Sequence, residues 1–173
     1  AIRSIVRVAL WHGMKAYAVQ EGYQGLVNGG EFIKELRWES VSNILQCAGT
    51  VLGTGRSADF MTPEGRLKAA ENLVKRGINS LVVIGGNGSL EGAHVFSEEW
   101  NDIVTQLVEL ERVTVEEGRR CGYLNIVGLV GTVDNDVCGT DMSIGADSAL
   151  HRITDAIDSI TTTAASHQRS FVL

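Results

Sequence analysis

Leu124-Asn125-Ile126-Val127-Gly128-Leu129-Val130 runs directly into Gly131-Thr132-Val133-Asp134-Asn135-Asp136. An apolar run rich in β-branched residues predicts a buried strand of a parallel sheet. It delivers a hydroxyl and two carboxylates to the end of the strand, where open α/β sheets bind ligands. In an extended segment Asp134 and Asp136, two apart, face the same side. One acid taking a proton while the other holds a cation suits phosphoryl transfer to a hydroxyl. Read alone, the same residues are equally an Asp/Asn-rich turn leaving a strand.

A second glycine-rich stretch, Gly85-Gly86-Asn87-Gly88-Ser89, follows the expected strand Ser80-Leu81-Val82-Val83-Ile84 and opens a helix through Leu90, Gly92 and Ala93. Glycines let backbone N–H groups approach a phosphate, and a helix start adds positive partial charge. No Gly-Lys-Ser/Thr follows, so this is not a P-loop. On spacing alone it is either a phosphate loop or a strand-to-helix turn without a ligand.

Outward from these two loops, strand and helix signals alternate, the pattern of a doubly wound, Rossmann-like α/β fold with a parallel sheet and helices on both faces. Ile2, Ile5, Val6, Ala9 and Leu10 recur at helical spacing before Gly13, with Arg3 and Arg7 one turn apart on one face. That arginine pair is either a solvated face or a phosphate clamp. Lys15–Val19 reads as a short strand and Glu21–Gly25 as a loop. Val41, Ile44, Leu45 and Ala48 mark a helix. The glycine-spaced loop 49–56 ends in Arg56, an exposed loop arginine or one reaching a ligand. Thr62-Pro63-Glu64 is a strong helix start, and Gly77 ends that helix. The acidic stretch 97–122 reads as a surface helical insertion. Ala146, Ala149, Leu150, Ile153, Ala156, Ile157 and Ile160 define a long amphipathic helix, followed by a polar tail and a strand opening at Phe171-Val172-Leu173.

Composition bounds the function. The 173 residues are 44% hydrophobic and 21% charged, values of an ordinary globular domain. A net charge of −6 argues against a nucleic-acid binder, which needs a basic face. No apolar run reaches membrane-spanning length. Cys47, Cys121 and Cys138 are odd in number and widely spaced, so free thiols in a reducing cytoplasm are expected, and no secretory leader is evident. The histidines, His12, His94, His151 and His167, have no metal-ligand spacing. The uncapped start at Ala1 and the strand cut short at Leu173 suggest an excerpt of a larger protein.

Taken together, Gly85–Ser89, Gly131–Asp136, Gly139-Thr140-Asp141-Met142-Ser143-Ile144-Gly145 and Ser166-His167-Gln168-Arg169 resemble the ATP-dependent 6-phosphofructokinases in order and spacing. The stretch 97–122 and Tyr123–Val130 resemble the N-terminal catalytic half of the eukaryotic form. The resemblance implies an incomplete nucleotide-binding α/β domain over residues 1–173, whose first strand would precede Ala1. It implies transfer of a phosphoryl group from ATP to the 1-hydroxyl of fructose 6-phosphate, the committed step of glycolysis, with Mg²⁺ as cofactor. Asp134 would be the general base, with Thr132, Val133 and Asp136 holding substrate and metal-bound phosphates. Tyr23, Arg56 and Ser57 match nucleotide positions, and Gly86, Asn87, Gly88, Ser89 and Gly92 match the loop over the phosphates. Arg56 would also assist transfer along the ATP phosphates. Arg169 matches an arginine that reaches the sugar 6-phosphate across a subunit boundary, and Arg3 with Arg7 an effector-site pair for phosphate-bearing allosteric ligands. A homo-oligomer, a tetramer, is implied.

One departure stands out. Asn87 occupies the position of an aspartate linked to Mg²⁺, offering a neutral carbonyl oxygen in place of a charge. That raises a second reading, a catalytically impaired or regulatory homologue. The pyrophosphate-dependent relatives fit less well, because they carry a bulky acid at the position of Gly88 and a lysine at that of Gly131.

Overall fold

Helix ends organise this chain, and four of them close the same way. In the computed structural model, which describes residues 1–47 and 49–172, α1 (Ile2–Trp11) stops at Gly13, whose φ is +75°. Gly13 N–H reaches Leu10 O and Met14 N–H reaches Ala9 O, both at 3.0 Å, the pair of bonds that satisfies orphan carbonyls around a left-handed residue. Gly77, at φ +67°, repeats it after α3 (Pro63–Val74). The end of α4 (Asn87–Glu109) turns on Glu111 at φ +56° and α6 (Ile144–His167) on Gln168 at φ +50°, two left-handed residues without the help of glycine. Starts are capped by side chains. Thr62 Oγ1 accepts from Gly65 N–H at 3.1 Å, and Thr114 and Glu117 exchange bonds in a capping box at the head of α5 (Val115–Arg120).

The chain folds as two compact units, Ala1–Leu81 with His94–Ile126 and Val82–Ala93 with Val127–Leu173. In the first, β1 (Ala16–Val19) pairs antiparallel with β2 (Ile33–Leu36), Ala16 opposite Leu36 and Val19 opposite Ile33. This departs from an all-parallel pattern, and β2 carries no alternation that announces it. Between them the expected loop at Glu21–Gly25 is instead the start of α2 (Gly22–Asn28). Its glycines read as loop residues, yet burial of Leu26 and Val27 makes a helix the better solution, and Gly25 lies where a Cβ would collide with Gln20 O.

The helix expected from Val41, Ile44 and Leu45 is absent: a 3₁₀ turn over Trp38–Val41 buries Val41, Asn43 turns left-handed at φ +58°, and Leu45 is exposed. Ala48 lies outside the described residues. The stretch 97–122 is largely helical, in α4 and α5, but it is no surface appendage. It places Trp100, Leu107 and Cys121 in the core with Leu26, Leu73 and Val74. Most of its acids are exposed, while Glu99 is half-buried in an ion pair with Arg66. Tyr23 stacks on Phe60 at 4.1 Å, Phe60 meets Phe96 edge-on, and Phe96 meets Trp100 at 5.3 Å. Trp100 Nε1 donates to Cys121 O at 2.8 Å, so this large ring is buried with its one donor satisfied.

β3 (Ser80–Gly85) and β4 (Asn125–Val130) are hydrogen-bonded neighbours. Asn125 N–H bonds Asn79 O and, six residues further on both sides, Gly131 N–H bonds Gly85 O, so the strands run parallel. The fold is α/β with a parallel strand pair, as the alternation predicts. Burial along β4 is incomplete, with Val127 55% exposed. In the second unit α6 begins at the cap Ser143 and continues to His167, through most of the expected polar tail, with the Ser159 and Thr161 hydroxyls donating back to the carbonyls of Asp155 and Ile157. No strand forms at Phe171-Val172, and Leu173 lies outside the described residues.

Candidate active site

The second unit brings both glycine loops together on a floor of bare backbone. Gly131 N–H donates to Gly85 O at 2.8 Å. A Cβ on Gly131 would press Ile84 Cγ2 at 3.0 Å, one on Gly86 would meet the Thr132 side chain at 3.3 Å, and one on Gly145 would collide with the carbonyls of Gly131 and Thr132. Close approach of chain to chain needs glycine here. The first turn of α4 therefore opens directly after β3, with Ser89 and Leu90 N–H groups bonded to Gly86 O at 3.0 Å.

Above that floor the polar side chains are exposed and each acid has its own donor. Asn87 Nδ2 donates to Asp136 Oδ2 at 3.0 Å, linking the residue that opens α4 to the acidic loop. Thr132 Oγ1 donates to Asp134 Oδ2 at 3.4 Å and accepts from Asp134 N–H at 3.1 Å. Asp134 and Asp136 do not share one face of an extended segment as expected, because Asn135 sits at φ +52° and breaks the extension between them. What brings them into one site is the Asn87 bridge on one side and the Thr132 turn on the other.

Two residues that the sequence reading did not single out hold the loop. Asn135 Oδ1 accepts from Ser143 N–H at 2.8 Å and its Nδ2 donates to Asp141 O at 3.3 Å. Ser143, only 2% exposed, donates to Thr132 O at 2.5 Å and caps α6 by accepting from Ala146 N–H. A serine directly before a helical apolar run is a legible start signal. Asn135 carried a weaker one, the tolerance of Asn for left-handed backbone.

The other candidates stand elsewhere. Tyr23, Arg56 and Ser57 belong to the first unit, where Ser57 Oγ donates to Gln24 Oε1 at 2.9 Å and accepts from Phe60 N–H. Burial against Phe60 pushes the Tyr23 hydroxyl up to about 12, so it stays a neutral donor across the physiological range. Arg7 lies over the Trp38 ring at 4.7 Å, and Arg3 is half-buried on the same helix. Gly92 is inside α4, and Val133 and Arg169 are exposed, the latter just past the left-handed end of α6. The three cysteines are free thiols. Among the described residues no helix is long and apolar enough to cross a membrane, and no three His, Cys, Asp or Glu side chains converge as a metal cluster.

The phosphofructokinase family model matches residues 1–173, and so takes in both glycine loops and the acidic loop. The chain belongs to the phosphofructokinase family. It is 60% identical over all 173 residues to the muscle-type ATP-dependent 6-phosphofructokinases of Oryctolagus cuniculus and Homo sapiens. It spans 22% of the length of those relatives. Among solved structures, phosphofructokinase from Saccharomyces cerevisiae superimposes with a TM-score of 0.91 at 47% identity, over 97% of this chain and 22% of that one. The T-state enzyme of Pichia pastoris gives 0.82 at 45% identity, over 92% of this chain and 16% of that one. The fold implied by the phosphofructokinase resemblance is therefore the fold present.

Proposed function

We propose that the full-length protein transfers the γ-phosphoryl group of ATP to the 1-hydroxyl of fructose 6-phosphate, yielding fructose 1,6-bisphosphate and ADP. The observation that carries this reading is the Asn87–Asp136 bond, which joins a glycine-rich helix start to an acidic strand end. The names of the mammalian relatives, ATP-dependent 6-phosphofructokinase, supply the substrates. Asp134 accepts the proton of the 1-hydroxyl as that oxygen bonds to the γ-phosphorus and the bond to the bridging oxygen of ADP breaks. Thr132 holds Asp134 in place, and Gly86, Gly88 and Ser89 present backbone at the phosphates. Val133 and Arg169 are assigned to the sugar phosphate, Tyr23, Arg56 and Ser57 to the nucleotide, and Arg3 with Arg7 to an effector, all on the family resemblance. A cytoplasmic homotetramer belongs to the same reading.

Mg²⁺ fits the donors present. It keeps several waters and takes one or two carboxylates plus substrate phosphates; Asp136 provides a carboxylate and Asn87 an amide oxygen. When bound, the ion neutralises charge developing on the phosphoryl oxygens. ATP is favoured over pyrophosphate as donor because Gly88 and Gly131 stand where the pyrophosphate-dependent relatives carry a bulky acid and a lysine.

The test is Asp134→Asn in the full-length protein, with kcat expected to fall at least ~10²-fold and ATP binding to stay unchanged. Near-normal kcat refutes the role. Asn87 favours the second reading, a regulatory homologue with little turnover; an unmutated protein that binds fructose 6-phosphate and ATP without phosphorylating sugar supports it.

A further inference from the structure

Asp136 has a partner on the protein itself. A carboxylate only accepts hydrogen bonds, and the group facing it at 3.0 Å is the Asn87 amide nitrogen, a neutral donor. The pair thus carries one negative charge, and its attraction needs no metal between the two side chains. Asn87 is the first residue of α4 and Asp136 closes the acidic loop, so the bond fastens the glycine loop to the strand end. Around them the anchors are equally metal-free: the Gly131–Gly85 backbone bond, the Thr132–Asp134 turn, and Asn135 with Ser143 at the head of α6.

From this we infer that Asn87 is a positioning residue, a latch that sets Asp136 by hydrogen bonding, so that the order of the acidic loop does not depend on a divalent cation. The latch rests on the geometry, whatever the phosphotransfer reading. With a single formal charge and one amide oxygen, the free protein offers a hard cation too little to strip its hydration shell. An aspartate at 87 would reverse this. Two carboxylates at hydrogen-bonding distance repel, and a cation between them becomes the means of closing the loops.

Thermal melting and hydrogen exchange of the full-length protein, without nucleotide, test it, using MgCl₂ against NaCl of matched ionic strength. The unmutated protein is expected to show the same Tm and the same exchange over residues 131–136 in both salts. Asn87→Asp should melt lower and exchange faster over 131–136 in NaCl, recover in millimolar MgCl₂, and bind Mg²⁺ at least ~10-fold more tightly by calorimetry. Asn87→Ala, which removes the donor without adding charge, should exchange faster over 131–136 and ignore Mg²⁺. A Tm of the unmutated protein that rises with MgCl₂ as much as that of Asn87→Asp overturns the latch, as does an Asn87→Ala exchange pattern matching the unmutated one. A full-length protein that behaves as expected here but never phosphorylates fructose 6-phosphate refutes the phosphotransfer reading and leaves the latch standing.

Discussion

Replacing Ser143 by alanine removes a hydroxyl that does two things at once. It caps α6 through Ala146 N–H at 3.3 Å and it donates to Thr132 O at 2.5 Å. Loss of an N-cap serine costs about 1 kcal/mol, and loss of a neutral hydrogen bond at a buried group about 1 kcal/mol more. The sum of ~2 kcal/mol corresponds to roughly 30-fold more frequent local opening, since each 1.4 kcal/mol is a factor of ten. Native-state hydrogen exchange reads that quantity directly. The amides to follow are Ala146, which loses its acceptor, and Asp134, whose bond to Thr132 Oγ1 depends on where Thr132 is held. Both should lose protection by roughly 30-fold, while Gly65, capped by Thr62 in the other unit, should not change. Asn135→Ala alone should produce a comparable loss, and the double variant less than the sum, because the two side chains share one network. If Ala146 and Asp134 exchange within threefold of the unmutated protein, the Ser143 anchor is not what orders the acidic loop.

Trp100→Phe leaves Cys121 O without a donor and thins the packing beside Phe96, so urea unfolding followed by circular dichroism should show a loss of ~2–4 kcal/mol; an unchanged midpoint refutes the account. At Glu71, burial pushes the carboxyl up, but the bonds from Lys75 and Arg112 outweigh it and hold it below 4.5. Its contribution is therefore present above pH 4.5 and lost as pH falls through the lowered value, so Glu71→Gln should flatten the acid limb of stability against pH. A limb of unchanged slope counts against that pairing. Arg169→Ala in the full-length protein should raise KM for fructose 6-phosphate roughly 10- to 100-fold and leave KM for ATP nearly constant; equal shifts in both refute its assignment.

The legible parts of the fold were those where one residue type forces one backbone. Gly13 and Gly77 announced helix ends because only glycine adopts their left-handed conformation cheaply, whereas Glu111 and Gln168 end helices in the same way and gave no sign. Thr62-Pro63-Glu64 announced α3. The capping box of Thr114 and Glu117 is equally readable, but it lies inside an acidic stretch whose composition points to surface. β2 and α2 were hidden because their cause is tertiary: Ile33 and Leu26 are buried by partners distant in sequence. At the site, the glycines and the acids were visible in order, but the bonds that unite them, Asn87 to Asp136 and Asn135 to Ser143, join residues far apart along the chain, or through a left-handed turn that spacing rules do not describe.

The glycine floor has an evolutionary consequence. Gly85, Gly86, Gly131 and Gly145 fix the path of the backbone without any side chain, while Asn87, Asp134 and Asp136 stand exposed above it and fill no space in a core. Exchanging one of those exposed side chains opens no cavity in a core, so its cost to folding is small and local. Chemistry and architecture can then drift at different speeds. A duplicated copy of such a gene can exchange the side chain at 87, 134 or 136 by a single codon and keep its fold. An added side chain at 145, where a Cβ would collide with the carbonyls of Gly131 and Thr132, breaks the fold itself. Activity in this architecture is cheaper to lose than shape, which makes it a ready source of subunits that fold and bind without turning over.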